Sequence, residues 1–144
     1  MKRVAIINGP NLNLLGKREP EIYGGESFED YFKSLKQVFS AVEISYDQHN
    51  VEGELVNLIQ ARGFDSDYII LNAAAYTHTS VAIADAVAAV PAEVIGVHIS
   101  NIYQREVERH VDLLAGYCKA CLFGFGLEGY RLALQFVMSE IDSN

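Results

Sequence analysis

An arginine and a tyrosine five positions apart, Arg18 and Tyr23, stand inside the segment GPNLNLLGKREPEIYGG that spans residues 9–25. A phenol has a pKa of about 10 and is a poor base near neutrality, but a neighbouring guanidinium favours the phenolate, each tenfold gain in that ionisation equilibrium being worth ~1.4 kcal/mol. Together the two residues offer an activated base. Farther along, His98 closes an apolar run. An imidazole changes its charge between about pH 5 and 8 and suits acid chemistry, although a single His at a strand end also reads as a satisfied core ring. The two cysteines, Cys118 and Cys121, are spaced C-x-x-C. A zinc site needs two further ligands at suitable spacing, and a redox pair sits at a helix N-terminus after a strand, whereas residues 118–123 read as a buried strand. Packing explains the cysteines better, and no metal is expected.

The elements that must position these residues alternate along the chain. Strands are expected over residues 4–8, 43–46, 68–71, 94–98 and 120–123, where apolar and β-branched residues run together. Between them, Phe28, Phe32, Leu35, Val38 and Phe39 repeat at helical spacing behind a Ser27/Asp30 N-cap pair. A second helix over 54–62 is expected to stop at Gly63, and a third, over 81–90, to be capped by Thr79 or Ser80 and to end before Pro91. Helices over about 105–114 and 130–140 complete a (βα)₅ pattern. The strands over 68–71 and 94–98 look buried on both faces, which favours a parallel sheet covered by helices on both sides. The leading topology is a flavodoxin-like three-layer sandwich with strand order 2-1-3-4-5, whose ligands bind beyond the carboxyl ends of the strands where the order switches. Asn8-Gly9-Pro10-Asn11, Asn72, His78 and His98-Ile99-Ser100-Asn101 all follow strands. Residues 9–25 make a connection far longer than the ~2–6 residues usual after a strand, so this segment reads as a functional lid.

The 144 residues are half apolar and carry 11 Lys and Arg against 19 Asp and Glu, a formal charge of −8. A chain of this length buries roughly 68–70% of its unfolded surface, enough for one domain over residues 1–144. No apolar run approaches the ~18 residues of a membrane span, and Met1-Lys2-Arg3 leads directly into a strand-like run, so a cytoplasmic protein is expected. Without a basic face, neither nucleic acid nor an acidic membrane is an expected partner. A small anionic substrate fits if a few arginines are gathered locally.

Four blocks resemble the type II 3-dehydroquinate dehydratases: GPNLNLLGKREPEIYG at 9–24, NAAAYTHTSVAIADA at 72–86, VHISN at 97–101 and GFGLEGYRLAL at 124–134. The similarity runs in register over nearly the whole chain. It implies removal of water from 3-dehydroquinate to give 3-dehydroshikimate, by anti elimination through an enolate in the shikimate route to aromatic amino acids, with no metal or organic cofactor. It also implies a homododecamer, a tetramer of trimers. By this resemblance Tyr23 is the base, Arg18 and Arg105 favour its phenolate, Asn11 lies where a water is held near the enolate oxygen, and His98 is the general acid. Asn72, His78, the backbone of Ile99 and Ser100, and Arg109 match substrate contacts, while Asp85 matches a carboxylate that reaches a neighbouring subunit's site. Such a set suits a polyhydroxylated carboxylate: amides and imidazoles meet hydroxyls, and free N–H groups at a strand end receive the carboxylate. His49 and His110 match no catalytic role.

The chain also departs from the family pattern. Gly96 stands where relatives usually carry Glu two residues before the acid. Positions two apart in a strand face one side, so that carboxylate would lie beside the imidazole and hold or tune it. Tyr103 replaces a common His, and Val111-Asp112 a common His-Ser pair. This reading leaves His98 without a carboxylate and pairs Asp112 with a nearby Arg, weakening the hold on an anion. Two other functions stay open: a divergent paralogue acting on a related cyclic hydroxy-acid, and a non-catalytic anion-binding protein. Retention of Arg18, Tyr23 and His98 together argues against the second, because binding alone needs neither an activated phenol nor an acid.

Overall fold

The computed structural model describes residues 1–17, 21 and 25–143 of the chain. Its strands β1 (Arg3–Asn8), β2 (Glu43–Gln48), β3 (Tyr68–Asn72), β4 (Glu93–His98) and β5 (Ala120–Phe123) form one parallel sheet in the order β2-β1-β3-β4-β5. The order is the one expected. Side chains alternate across a strand, and β1 shows the result: Val4 and Ile6 enter one core, Ala5 and Ile7 the other. The first core is closed by α1 (Phe28–Val38) and α4 (Glu128–Asp142), the second by α2 (Glu52–Asp65) and α3 (Val81–Ala89). Helices thus cover both faces, giving a flavodoxin-like sandwich.

Local chemistry sets the helix starts. The Ser27 hydroxyl accepts a hydrogen bond from the Asp30 amide and the Ser80 hydroxyl accepts one from the Ile83 amide, so each satisfies an orphan donor in the first turn. The expected stop at Gly63 is wrong: α2 runs through it to Asp65. A Cβ at Gly63 would lie 2.4 Å from the Val90 side chain, so this glycine lets α2 approach the end of α3 rather than ending a helix.

The expected helix over 105–114 is also absent. Short 3₁₀ turns at Ile102–Gln104, Val107–Arg109 and Ala115–Tyr117 replace it. Its apolar positions do follow a helical period, yet Val107 and Val111 are exposed and bury nothing. Asp112 meanwhile accepts hydrogen bonds from the amides of Leu114 and Ala115 through Oδ1, a local arrangement that competes with helix. The (βα)₅ pattern therefore lacks its fourth helix. The strand reading of residues 118–123 needs correction as well: β5 begins at Ala120, forms the sheet edge and alternates between half-buried and exposed residues.

Candidate active site

The connection after β1 runs to β2 on one side and the connection after β3 runs to β4 on the other, so the two leave in opposite directions and open a crevice beyond the carboxyl ends of β1 and β3. A cavity occupies that place. Asn11 reaches its wall from the segment after β1, Asn72 and His78 from the end of β3 and the turn beyond it, and His98, Ile99 and Ser100 from the end of β4. Arg105 and Arg109 close it from the 3₁₀ turns, and Leu12, Leu14, Leu15 and Ile102 supply apolar wall. Eight of the residues singled out from the sequence therefore share one cavity. Arg18 and Tyr23, the expected base and its cation, lie outside the described residues. Asp85 does not line the cavity; it is exposed on α3.

Asn11 adopts a left-handed backbone conformation, φ 70°, which a short amide side chain tolerates, and its amide N–H donates to Asn50 Oδ1 at 3.0 Å. Gln48 donates to the Gly9 carbonyl at 3.1 Å and to the same Asn50 oxygen at 3.0 Å, which ties the start of the segment to the end of β2. Asn72 is buried. Its Oδ1 accepts from the Ala74 amide at 3.0 Å and its Nδ2 donates to the Tyr130 hydroxyl at 2.9 Å, while that hydroxyl donates to Asn8 Oδ1 at 2.8 Å. The network fixes the floor of the crevice and leaves Asn72 its second N–H.

The two imidazoles of the wall stack with ring centroids 6.2 Å apart. His78 Nδ1 lies 2.7 Å from the Val111 carbonyl, an acceptor only, so Nδ1 carries the proton and Nε2 is left for the cavity. His98 Nε2 lies 3.0 Å from Asp112 Oδ2, with the side chains 8% and 14% exposed. This overturns the expectation that Asp112 pairs with an arginine. Burial pushes the Asp112 carboxyl upward, but hydrogen bonds from His98 and from the amides of Leu114 and Ala115 outweigh it, so its pKa is lowered. The sequence carried a usable signal for this pairing: one departure removes a carboxylate at position 96 and another introduces one at 112.

Arg105 Nη1 donates to Ser100 Oγ at 3.4 Å, and its carbonyl meets His110 Nε2 at 3.0 Å. His110 thus braces the loop rather than lining the cavity. Arg109 is paired with Glu106 one turn earlier. Among the described residues, neither the Ile99 nor the Ser100 amide donates in a turn, loop or cap hydrogen bond, which leaves both for an anionic group. The thiols of Cys118 and Cys121 share a hydrogen bond. That bond lowers Cys121 to about 7 and, together with burial, raises Cys118. A Cβ at Gly96 would meet their sulfurs at 3.5 Å and 3.3 Å respectively, so the pair fills the space beside β4. Among the described residues no group of three His, Cys, Asp or Glu is arranged to hold a metal ion.

Comparison with known proteins adds chemical identity to this geometry. The family model described as dehydroquinase class II matches residues 2–138. The 3-dehydroquinate dehydratase of Actinobacillus pleuropneumoniae serotype 5b (strain L20) is 46% identical over 143 residues, covering 98% of this chain and 93% of that protein. The 3-dehydroquinate dehydratase of Caldanaerobacter subterraneus subsp. tengcongensis is 48% identical over 145 residues, covering 99% and 98%. The crystal structure of the type II dehydroquinase from Propionibacterium acnes superposes with a TM-score of 0.92 at 35% identity, covering 96% of this chain and 97% of that one.

Proposed function

The chain belongs to the class II dehydroquinase family, and from that premise we propose how it dehydrates 3-dehydroquinate to 3-dehydroshikimate. The enzyme is a hydro-lyase. Loss of water from a β-hydroxy ketone needs a base for the proton beside the carbonyl, stabilisation of the resulting enolate, and an acid for the departing hydroxide. In our reading the Tyr23 phenolate takes the proton, and Arg18 and Arg105 hold it in that form. The C–H electron pair moves onto the carbonyl oxygen, next to which Asn11 holds a water. Collapse of the enolate forms the carbon–carbon double bond and breaks the C–O bond to hydroxide, which leaves as water with a proton from His98. Asn72, His78 and Arg109 orient the substrate, and the amides of Ile99 and Ser100 receive its carboxylate.

The observation that carries this reading is the convergence of His98, two arginines and the backbone of Ile99 and Ser100 on one crevice at the switch in strand order. Incubation of the purified protein with 3-dehydroquinate tests it, because the product is a conjugated enone: ultraviolet absorbance should rise with time. A flat trace at high enzyme concentration rules the reading out.

We further propose a cytoplasmic homododecamer built from four trimers, with Asp85 completing a neighbour's site. In support, no helix among the described residues is long and apolar enough to cross a membrane. The exposed side of α3 surrounds Asp85 with Val81, Ala82, Ala88 and Ala89, of which Val81 is 63% exposed. Such a face suits contact with another subunit. A sedimentation mass of one or two chains would overturn the assembly.

A further inference from the structure

The two nitrogens of His98 face different surroundings. His98 lines the cavity and Asp112 does not, so the Nε2 contact at 3.0 Å lies behind the ring as seen from the substrate. Asp112 is held from its other side, Oδ1 accepting from Leu114 N at 2.9 Å and Ala115 N at 3.0 Å. An ionised carboxylate only accepts hydrogen bonds, so Nε2 must donate, and the neutral ring carries its proton there. Nδ1 is then the atom that takes up and delivers a proton on the cavity side.

No other group replaces this contact. From β4 itself, Gly96 offers nothing, and the Cys118 and Cys121 sulfurs occupy the space into which a side chain at 96 would grow. From the turn after β3 comes His78, stacked on the ring and tied to the Val111 carbonyl. From the turns after β4 come Arg105 and Arg109, both on the cavity wall, and from β5 comes Cys121. Asp112 is therefore the one carboxylate that the structure brings to His98 among the described residues. Its loop is anchored beside the site by Leu113 N, which donates to the Thr77 carbonyl at 3.0 Å.

We propose that Asp112 is the positioning residue of His98, fixing the ring's orientation so that the protonated ring delivers its Nδ1 proton to the departing hydroxide and the neutral ring left behind keeps its proton on Nε2. The carboxylate that β4 does not offer is supplied in this chain by the loop beyond it. The inference rests on the reading of His98 as the acid.

The test uses the full-length protein in four forms: wild type, His98→Ala, Asp112→Asn and Asp112→Glu. An Asn keeps the Oδ1 acceptor for Leu114 and Ala115 but turns an N–H toward Nε2, which drives the ring proton to Nδ1. The Asn variant should lose at least about thirtyfold in kcat, with KM within about threefold, because an N–H facing Nε2 opposes the doubly protonated ring that must donate to the hydroxide. The Glu variant, which restores the charge, should recover part of kcat. A second readout needs only the wild type: ¹⁵N signals of histidine-labelled protein should show neutral His98 with Nε2 protonated and Nδ1 bare. The proposal falls if Asp112→Asn keeps wild-type kcat while His98→Ala is inactive, or if the nitrogen signals show the opposite tautomer. A wild type inert toward 3-dehydroquinate, or a fully active His98→Ala, would instead overturn the proposed function.

Discussion

Tyr130 is fully buried, yet its hydroxyl is the hinge of the crevice floor, accepting from Asn72 and donating to Asn8. Burial holds its pKa well above the usual phenol range. Tyr130→Phe keeps the ring and removes the bridge, leaving Asn8 Oδ1 without a donor beside an Nδ2 that has no partner among the described residues. Groups left unpaired in this way cost about 1–3 kcal/mol each. Denaturant unfolding should therefore show a loss of about 2–4 kcal/mol, and KM should rise more than kcat falls because Asn72 loses its anchor. Unchanged stability would mean that water replaces the hydroxyl. Asp112 belongs to the same class of residue. In the sequence its importance shows only in the paired departures at 96 and 112, because the contact with His98 is made across 14 positions by a loop whose path tertiary packing decides.

β1, β3 and β4 were legible because each is a near-continuous apolar run, and strands buried on both faces demand such runs. From those runs alone, Asn72, His78, His98, Ile99 and Ser100 fall at carboxyl ends, which is why this part of the site was readable. The missing helix was not readable. Val107, Val111 and Leu114 keep its period, but two of them face solvent while the Asp112 side chain takes the amides a helix would need. Gly63 misled for a related reason: a glycine that stops a helix and one that admits a neighbouring helix look alike in sequence. Gly63→Ala should therefore destabilise by about 1–3 kcal/mol through overlap with Val90. Gly63→Ala combined with Val90→Ala should be less destabilising than the sum of the two single changes, as a double-mutant cycle in urea would show. Strict additivity would mean that α2 and α3 do not meet there.

One face of the sheet gathers an aromatic layer in which Phe28 contacts Tyr31, Tyr46 and Tyr130 at centroid distances of 6.0, 4.5 and 4.8 Å. Burial is the main reason that Tyr31 and Tyr46 are each pushed up to about 12. In the unfolded chain these phenols ionise near pH 10. Raised values in the folded state mean that their contribution to stability is complete below about pH 10 and is lost as pH climbs through about 12. Alkaline titration should therefore show Tyr31, Tyr46 and Tyr130 ionising together with the loss of helical circular dichroism. Smooth ionisation of every tyrosine near pH 10 with the helix signal intact would contradict the packing of this layer.

The bond from Tyr130 to Asn8 also joins positions 122 residues apart. During synthesis at ~5–20 residues per second, β1 leaves the ribosome roughly 6–24 seconds before the partner that closes its carboxyl end exists. Its pairing with β3 must likewise wait for residues 68–72, because a parallel neighbour cannot be reached by a tight turn. Before β2 emerges Val4–Ile7 is an apolar strip with two open edges, and one edge stays open until β3 follows. The interval in which this protein is most prone to aggregate is thus set by the pace of translation, and the crevice takes shape only as the last helix arrives.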